Sequence, residues 1–533
     1  MSNVADAIVK RLAQHGVKRI WGVPGGDCSL DILDAAARHG IHYVLTRTES
    51  GAAMMAMADA QVTGAPGVLL TTRGPGLTNG TNGIACASLD RVPLLVLADG
   101  HETDMGHVSH QRYDQMALMA PLVKASSVLE SGDPVAELDR LMASAMAGPA
   151  GPVYLEMVGQ RLRAPFTAVD RPLPAPPRPP APEEAALAAA RAVLGKARRP
   201  IIIAGLQARD EAAAAGLRWL ASQWEAPVLA TCMGKGALSD THEWALGPFI
   251  SGAAEDTMLR QADCILLYGA DPIEFMPKPW AYASTPVVEL TAHTHARPYL
   301  TPQAQVVGDL SEAAMALEDA VAPGHWAPEQ VADARETMRA LARTTSSGIA
   351  PHQVVEAAMQ AAPDGTRVTV DAGAHILPAV ALWPARQALD FFITRGLATM
   401  AYALPNAIGA ALADPSKPVL AFTGDGGLMM GAGELGTAVQ EGANVKVVVF
   451  NDASIALIEV KQRRRQFPLH GMRYPATDFA AVARGFGCAA LRVESLDQLV
   501  PALREAFATP GPVLLDVAVD GQAYHSLVPA LRG

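Results

Sequence analysis

Short apolar runs recur along the whole chain, and longer stretches with helix-like spacing separate them. Residues 43–45 and 264–269 are examples, and such short, continuous apolar runs are typical of strands buried on both faces of a parallel sheet. The same pattern predicts strands at residues 200–206, 226–230, 418–422 and 445–450. Because these strands alternate with helices, the sequence predicts an α/β fold of doubly wound parallel sheets.

A proline-rich stretch divides the chain. Residues 171–182, RPLPAPPRPPAP, form a connector in which proline excludes a helix and favours an extended backbone. We therefore expect one domain at residues 1–170 and a second at residues 183–325. After a softer break, a third domain is expected at residues 346–533. The fold prediction is three doubly wound parallel-sheet domains in one chain.

Composition limits the class of protein. The chain has 533 residues, half of them apolar, so it can bury several cores. Its net charge of −11 disfavours nucleic acid and anionic membranes as partners. The five cysteines are scattered without a CxxC pair, which fits a reducing cytoplasm better than disulfides or a zinc site. We expect no signal peptide, because the N-terminal residues suit an amphipathic helix, and no membrane span, because no apolar run reaches bilayer length.

The strongest candidate chemistry lies between residues 424 and 452. A predicted strand ends in GDGG at residues 424–427, where missing side chains let backbone N–H groups approach an anion. This turn is expected to lead into a helix that includes residues 434–440 and whose first turn offers unpaired N–H groups to a phosphate. Asp425 is a hard oxygen ligand of the kind that Mg²⁺ prefers. The next predicted strand ends at Asp452, at the same ligand-binding edge of the sheet.

This segment resembles the diphosphate-binding motif of the thiamine diphosphate enzymes, in which GDG is followed further along by Asn-Asn. The resemblance implies that Asp425, Asp452 and the backbone carbonyl of Ser454 bind Mg²⁺. It also implies that the diphosphate lies against the glycines of the motif, which are Gly424, Gly426 and Gly427. Asp452 departs from the motif, because it replaces the second Asn. It keeps a hard oxygen and adds one negative charge near the diphosphate.

A second match lies near the N-terminus at Glu49, which follows the predicted strand 43–45 and opens an Ala- and Met-rich helix. The family places a carboxyl group here against the aminopyrimidine N1′ of the cofactor. The resemblance therefore implies a catalytic and cofactor-binding role for Glu49. Thr48 stands where the family often has His. A carboxylate at a helix start can also merely complement the helix dipole, and it is the motif at residues 424–452 that favours catalysis.

Four further cofactor contacts follow from the resemblance. Met400 lies 25 positions before Asp425, in a segment similar to the one whose large apolar residue keeps the cofactor bent. A Met can equally be core filler. The carbonyl of Ala398 is expected to bind the 4′-amino group, and Leu457 is expected to face the thiazolium. His375, in VDAGAHI, either touches the diphosphate from the other side or is a surface loop residue.

Four residues are expected on the substrate side. Gly26, in WGVPGGDCSL, stands where benzoylformate decarboxylases have a Ser, and Thr72 stands where they have a catalytic His. Gln111 matches the Gln of a Phe-Gln pair that faces the reacting carbon in acetolactate synthases. His110 replaces the Phe, and it either transfers protons near neutral pH or is an idle loop residue. The candidate catalytic residues are thus Gly26, His110 and Gln111 together with Glu49, and Thr72 is a candidate cofactor contact.

The chain is identified as a member of the acetolactate synthase-like and benzoylformate decarboxylase-like, or pyruvate oxidase-like, branch of the thiamine diphosphate enzymes. The resemblance implies a pyrimidine-binding domain at residues 1–170, a Rossmann-like central domain at 183–325 and a diphosphate-binding domain at 346–533. It also implies active sites at the subunit interface of a homodimer or homotetramer. Residues after 264–269 lack the Arg-rich pattern of the FAD-binding members, so we expect no FAD.

The implied activity is decarboxylation of a small-molecule 2-oxo acid with thiamine diphosphate and Mg²⁺, followed by carboligation to an acceptor carbonyl. Gly26 and Gln111 favour carboligation, whereas His110 favours the alternative of a nonoxidative decarboxylase. A 2-hydroxyacyl thioester lyase is also open. A cofactor-binding protein without catalysis is disfavoured because Glu49 and Asp425 are both present.

A basic run follows the metal loop. Lys461, Arg463, Arg464 and Arg465 could clamp an acidic substrate group, or they could form a solvated helix end that complements the dipole. The sequence leaves their role open, together with the identity of the donor and acceptor substrates.

Overall fold

Three six-stranded sheets form the framework of the computed structural model, which describes residues 2–102, 104–167, 169 and 171–532. All pairings between the named strands of these residues are parallel. Helices lie between most consecutive strands along the chain, and many strands are buried along their whole length, as expected of parallel sheets covered on both faces. The predicted α/β fold of three doubly wound parallel-sheet domains is confirmed.

The N-terminal sheet has the strand order β2-β1-β3-β4-β6-β5. Its strands are Arg19–Val23 (β1), His42–Leu45 (β2), Gly67–Thr71 (β3), Leu94–Asp99 (β4), Ser126–Leu129 (β5) and Pro152–Met157 (β6). The helices are Val4–Gln14 (α1), Cys28–His39 (α2), Glu49–Thr63 (α3), Pro75–Leu89 (α4), Gln115–Met119 (α5), Pro134–Met146 (α6) and Gly159–Arg163 (α7). The amphipathic helix expected at the N-terminus is α1, which buries its apolar face.

The central sheet has the strand order β12-β11-β10-β7-β8-β9. Its strands are Pro200–Ala204 (β7), Val228–Thr231 (β8), Ala245–Phe249 (β9), Cys264–Tyr268 (β10), Val287–Thr291 (β11) and Ala304–Val307 (β12). The helices are Glu184–Leu194 (α8), Glu211–Trp224 (α9), Asp256–Leu259 (α10), Leu310–Ala316 (α11) and Pro328–Ala340 (α12). The order in which successive strands are added to the sheet reverses between β7 and β10, as in other doubly wound folds.

The C-terminal sheet has the strand order β14-β13-β15-β16-β18-β17. Its strands are Arg367–Val370 (β13), Phe391–Ile393 (β14), Val419–Gly424 (β15), Val445–Asn451 (β16), Ala489–Val493 (β17) and Val513–Ala518 (β18). The helices are Pro351–Ala361 (α13), Ile376–Leu382 (α14), Ala403–Ala413 (α15), Asp425–Gly431 (α16), Glu434–Gln440 (α17), Ala456–Arg464 (α18), Phe479–Phe486 (α19), Leu496–Ala508 (α20) and Tyr524–Arg532 (α21).

The two outer sheets share one strand order, and their domains pack through α3 and α15. Each of these helices follows the second strand of its sheet. Their backbones approach closely, since a Cβ atom on Gly409 would lie 2.3 Å from the carbonyl oxygen of Met55. The side chain of Asn406 also donates to the carbonyl of Met54 at 3.3 Å. The outer domains of one chain are therefore joined through equivalent helices.

The predicted helix that includes residues 434–440 is confirmed, because α17 spans Glu434–Gln440. The glycine turn predicted before it is wrong, because α16 begins at Asp425, directly after β15, with Gly424 as its N-cap residue. This helix ends at Gly431, and α17 is a separate helix that begins at Glu434. Gly431 and Gly433 lie at the break between these two helices. Glycine favours such a break because it loses more backbone entropy in a helix than other residues do.

The connector at residues 171–182 contains neither helix nor strand. The three sheets lie within residues 19–157, 200–307 and 367–518, while the limits given above for the three domains stay a prediction. Among the described residues, no helix has the combination of length and apolar character that crossing a bilayer requires.

Candidate active site

Loops of the C-terminal domain enclose a pocket at the carboxyl edge of its sheet, here called the C-terminal pocket. They follow the adjacent strands β14, β13, β15 and β16, whose ends converge at this edge. Parts of α18 and the start of α21 complete the wall. The lining residues are Ala372, Gly373, Ala374, His375, Ala398, Met400, Gly424, Asp425, Gly426, Gly427, Phe450, Asp452, Ser454, Ile455, Ala456, Leu457, Ile458 and Tyr524.

Asp425 joins two of these loops. Its Oδ1 accepts the N–H of Gly426 at 2.7 Å, and its Oδ2 accepts the N–H of Ala453 at 2.6 Å. The hydroxyl group of Tyr474 donates to Oδ1 at 2.7 Å. Burial raises the pKa of the Asp425 carboxyl, and these hydrogen bonds oppose that rise. The loop after β15 is thereby fixed to the loop after β16.

Asp452 lies beside Asp425 and has one free oxygen. Its Oδ1 accepts the N–H of Ser454 at 3.2 Å, whereas its buried Oδ2 has no partner among the described residues. Burial, and then the charge of Asp425, raise the pKa of Asp452 to about 7. Buried polar atoms without a partner are uncommon. Two carboxylates and a nearby backbone carbonyl form a hard oxygen set that suits Mg²⁺, so the residues present fit the predicted metal.

The glycines of α16 are required by close packing. A Cβ atom on Gly426 would lie 2.7 Å from Cδ1 of Ile455, and one on Gly427 would lie 2.2 Å from Oδ2 of Asp371. Asp371 cannot move freely, because it accepts three backbone N–H groups, at 3.0, 3.1 and 3.1 Å, and the hydroxyl of Thr423 at 2.9 Å. The first turn of α16 therefore exposes bare backbone to the pocket, as a bound diphosphate needs.

Replacing Gly427 by alanine should lower the unfolding free energy by about 1–3 kcal/mol, the usual cost of overpacking. The added methyl group would displace the Asp371 carboxylate from its hydrogen bonds. Urea denaturation measures the change. The matched control is Gly485→Ala in α19, where a Cβ atom would meet nothing within 4 Å and alanine should stabilise the helix slightly. Equal stability of the two variants would contradict the packing argument.

His375 is buried at the wall of the pocket and is not a surface residue. Its ring stacks on Phe450 with 5.2 Å between ring centroids. Burial lowers the pKa of His375 to about 4, so the imidazole is neutral near pH 7. Its Nε2 has no partner among the described residues. A neutral ring with an unused nitrogen can bind a polar group of a ligand in this pocket.

Met400, Ala398 and Leu457 line the same pocket, as the sequence predicted. Ala398 has a left-handed backbone, with φ of 53°. Such a conformation is uncommon for a residue with a Cβ atom, and it fixes the direction of the neighbouring carbonyl groups. The roles of these three residues toward the cofactor stay predictions.

The predicted substrate-side residues lie together in a second pocket, here called the N-terminal pocket. Gly26, Thr72, His110 and Gln111 all line it, at the carboxyl edge of the N-terminal sheet. A Cβ atom on Gly26 would meet nothing within 4 Å, so this part of the pocket is open. His110 and Gln111 are exposed.

Charged residues that the sequence did not single out also line the N-terminal pocket. Arg73 forms an ion pair with Asp27 and lies 3.4 Å from Nδ1 of His101, which also lines the pocket. Asp99 is fully buried and accepts the N–H and the hydroxyl of Ser29, both at 2.8 Å. Asp99 ends an apolar strand, and this position in the sequence could have predicted that it lines the pocket. Nothing in the sequence marks Arg73 as a pocket residue except that it follows Thr72.

Glu49 is the first residue of α3, and its side chain is almost fully buried. Burial raises its pKa. A hydrogen bond with Asn79 opposes the rise, and the charge of Glu434 adds to it. Gly76 makes room for the carboxyl group, since a Cβ atom there would lie 3.2 Å from Oε1 of Glu49. A buried carboxyl with a raised pKa can share a proton with a ligand.

Glu434 fixes the start of α3 to the C-terminal domain, and the sequence gave no sign of this role. Its carboxylate accepts the N–H and the hydroxyl of Thr48, both at 2.9 Å, and the N–H of Arg47 at 3.2 Å. Thr48 is the N-cap residue of α3. The orientation of Glu49 therefore depends on a residue of α17.

The predicted site residues form two groups within one chain. The metal and diphosphate candidates line the C-terminal pocket, and the substrate candidates line the N-terminal pocket. Glu49 and the four substrate-side residues are absent from the residues that line the C-terminal pocket within the described part of the chain. The roles assigned to all of them stay predictions.

A third cluster lies in the central domain, where Asp271, His293 and His295 have ligand-type atoms within 4.8 Å of one another. Arg91 binds both carboxylate oxygens of Asp271, at 3.0 and 3.2 Å. Since a guanidinium group so close opposes a second cation, we assign no metal to this cluster.

Comparison with known families gives three matches in chain order. Residues 2–118 match the N-terminal TPP binding domain of thiamine pyrophosphate enzymes. Residues 187–317 match the central domain and residues 371–517 match the C-terminal TPP binding domain of the same enzymes. The matched ranges contain all residues that line the N-terminal pocket and all that line the C-terminal pocket except Tyr524.

Full-length relatives give the same picture. The chain is 31% identical to the acetolactate synthase of Bacillus subtilis, with 97% of this chain and 93% of the relative covered. It is 30% identical to a probable 2-ketoarginine decarboxylase of Pseudomonas aeruginosa, over 96% and 93% of the two chains. An X-ray structure from Mycobacterium smegmatis, described as a thiamin diphosphate-dependent enzyme, has 24% identity, a TM-score of 0.85 and coverage of 97% and 99%. The structural match shows the fold.

Proposed function

Because the chain belongs to the thiamine pyrophosphate enzymes of the acetolactate synthase-like type, which act on 2-oxo acids, we propose that it decarboxylates a small 2-oxo acid and joins the remaining acyl group to an acceptor carbonyl. Thiamine diphosphate and Mg²⁺ are the proposed cofactors. One CO₂ leaves and one proton is taken up for each acyloin formed. The observation that carries the proposal is the convergence of Asp425, Asp452 and Ser454 around an unpartnered buried oxygen in the C-terminal pocket.

The chain supplies binding, orientation and proton control. The bound cofactor supplies the electron sink for cleavage of the carbon–carbon bond. Asp425, Asp452 and the carbonyl of Ser454 hold the metal, and the bare backbone of α16 together with the neutral His375 accommodates the diphosphate. Glu49 holds and transfers a proton at its buried carboxyl group. The apolar side chains of Met400 and Leu457 exclude water from the reacting centre.

Carboligation is the proposed fate of the acyl group. Open space at Gly26 leaves room for an acceptor molecule, and Gln111 can donate a hydrogen bond to its carbonyl. The Bacillus subtilis relative is named an acetolactate synthase. His110 supports the second candidate, a nonoxidative decarboxylase, because it offers a proton donor in the same pocket. The Pseudomonas aeruginosa relative is named a decarboxylase.

The test of this proposal is product analysis. The protein is incubated with thiamine diphosphate, Mg²⁺ and a series of 2-oxo acids from pyruvate to benzoylformate, while CO₂ is followed and the organic product is identified. Acetolactate or another acyloin is the expected product. An aldehyde without acyloin would favour the decarboxylase, and the absence of CO₂ from every acid would reject both.

We further propose that each active site forms between two copies of the chain, in a homodimer or homotetramer. The Glu49 of one copy would meet the C-terminal pocket of the other. Within the described part of one chain, Glu49 is absent from the residues that line the C-terminal pocket, and this supports the arrangement.

Mixing two inactive variants tests it. When Glu49→Gln and Asp425→Ala chains are unfolded and refolded together in equal amounts, half of the pairs are mixed, and each mixed pair has one intact site of two. The mixture should recover about a quarter of the wild-type activity per chain. Each variant refolded alone is the control. If both residues of one site came from the same chain, the mixture would stay as inactive as the variants.

The central domain is proposed to work without FAD. At its topological switch point, the buried Glu274 accepts the N–H groups of Leu206 and Asp271, each at 2.9 Å, and the hydroxyl of Thr231. Burial raises the pKa of Glu274 to about 7. These backbone donors lie where a doubly wound sheet would bind a phosphate, and here a side chain of the protein uses them. A flavin absorption spectrum of the purified protein would contradict the proposal.

A cytoplasmic location also remains a proposal. It rests on the five cysteines, all of which are buried free thiols.

A further inference from the structure

The segment between β14 and α15, residues 394–402, has a strained backbone beside the C-terminal pocket. Ala398 and Met400 both line this pocket. Ala398 and Ala401 have left-handed backbones, with φ of 53° and 62°. Such a conformation is uncommon for a residue with a Cβ atom, and it persists only where the surrounding structure holds it. The 394–402 segment must therefore be fixed by contacts outside itself.

Two buried aspartates hold the segment, one near each end. Asp371 accepts the N–H groups of residues 401–402, both at 3.1 Å. Oδ1 of Asp90 accepts the N–H of Arg395 at 3.2 Å and the N–H of Gly396 at 2.8 Å. Asp371 belongs to the same domain as the segment, whereas Asp90 belongs to the N-terminal domain, where it is the C-cap residue of α4. The two domains therefore fix the segment together.

The carboxyl group of Asp90 is itself held in place. Its Oδ2 accepts the Sγ–H of Cys86 at 3.3 Å, and the hydroxyl of Thr394 forms a further hydrogen bond with it. Burial raises the pKa of Asp90, and its hydrogen bonds oppose that rise. Gly396 lies against the end of α4, since a Cβ atom there would lie 2.6 Å from the carbonyl carbon of Leu89. The segment and the end of α4 therefore have one fixed relative position.

Helix α4 contacts the segment at a second point. The amide nitrogen and oxygen of Asn82 lie 3.1 and 3.2 Å from the hydroxyl oxygen of Thr399, which stands between Ala398 and Met400 in the chain. Asn82 is exposed and contacts only a side chain in this way. Asp90 is buried and binds backbone groups directly, so it is the main restraint from this side.

On these contacts, and on the proposed function of the site, we propose that Asp90 is a positioning residue for the cofactor. It fixes the backbone before Ala398, so that the carbonyl group of Ala398 and the side chain of Met400 keep their directions in the C-terminal pocket. Within the described part of the chain, Asp90 does not line that pocket, so it acts through the 394–402 segment. The N-terminal domain thereby shapes the cofactor site of its own chain.

The test is Asp90→Ala, which leaves the N–H groups of Arg395 and Gly396 without their acceptor. Thiamine diphosphate is achiral, and it gains circular dichroism only where a pocket holds it in one asymmetric arrangement. This near-ultraviolet signal is measured at saturating thiamine diphosphate and Mg²⁺, with saturation checked by calorimetric titration. In the variant, the signal should lose most of its amplitude. Turnover of a 2-oxo acid that the wild type converts should fall about 100-fold, the cost of misplacing groups at the reacting centre by about 1 Å.

Two controls separate positioning from stability. Asp90→Asn keeps an acceptor oxygen for both N–H groups, so it should keep the wild-type signal and turnover. Asp263→Ala removes a carboxylate that also accepts two consecutive N–H groups, those of residues 198–199 in the central domain. It should keep the signal and the turnover even where it lowers stability, which thermal unfolding measures.

A second variant is measured if Asp90→Ala fails to fold by far-ultraviolet circular dichroism. Gly396→Ala places a methyl group against the backbone of Leu89 and moves the segment from α4, while the carboxyl group stays. It should lose the cofactor signal in the same way. A wild-type signal in the folded variant, or an equal loss in Asp90→Asn or Asp263→Ala, would overturn the inference. A wild-type protein that binds no thiamine diphosphate would instead reject the proposed function, and this inference with it.

Discussion

Replacing Glu49 by glutamine should lower kcat about 10³-fold, within the usual range for loss of a general acid–base group, while thiamine diphosphate stays bound. Glutamine keeps the shape of the side chain and can still form a hydrogen bond, but it cannot take up or release a proton. Glu49 is almost fully buried, and burial raises its pKa, so its protonation state is set by the protein and by a bound ligand. Initial-rate kinetics and calorimetric titration of the cofactor measure the two effects.

A helix-start carboxylate without a catalytic role provides the control. Glu137 lies in the first turn of α6 and forms an exposed ion pair with Arg140. Glu137→Gln should keep wild-type turnover. If Glu49→Gln were nearly as active as this control, Glu49 would have no part in catalysis, and the helix-dipole interpretation would remain.

Replacing Asp425 by alanine should weaken Mg²⁺-dependent binding of thiamine diphosphate more than 100-fold. Mutation of residues that only hydrogen-bond to metal ligands already lowers metal affinity 10- to 100-fold. The substitution removes one negative charge from the proposed metal ligands. It also leaves the N–H of Ala453 and the hydroxyl of Tyr474 without their acceptor. Isothermal titration with and without Mg²⁺ separates the metal-dependent part of the affinity from the rest.

Asp309→Ala is the matched control for structural damage. Asp309 accepts the N–H groups of Ser311 and Glu312 at the start of α11, far from the C-terminal pocket along the chain. It should lose some stability and keep the metal-dependent affinity. If Asp425→Ala kept the wild-type Mg²⁺-dependent affinity for thiamine diphosphate, Asp425 would not be a metal ligand.

Local patterns were sufficient to predict several strands, including the two that precede residues 424–427 and 452. The runs around residues 418–422 and 445–450 are continuous in apolar residues, and the structure has β15 and β16 there. The strand at 200–206 was predicted too long, since β7 ends at Ala204 and Leu206 begins a short 3₁₀ helix. An apolar residue that starts a turn cannot be told from one that ends a strand by hydrophobicity alone.

Contacts between distant residues could not be predicted in this way. Glu434 lies 386 positions from Thr48, and nothing in its surroundings marks it as the partner of that helix start. The sequence gives no sign of a role for Asp371, yet its buried carboxylate holds the segment before α15, and burial raises its pKa to about 6. Such roles depend on which loops the fold brings together, and a single sequence does not contain that information.

The shared strand order of the outer sheets has a consequence for how this chain arose. Glu49 follows the second strand of the first sheet, and Ala398 and Met400 follow the second strand of the third. The start of α4 after β3, at Gly74-Pro75-Gly76, corresponds in the same way to the start of α16 after β15, at Gly424-Asp425-Gly426. Both domains are best explained as descendants of one ancestral domain that paired with its own copy. After duplication, corresponding loops diverged, and the two pockets now have different linings.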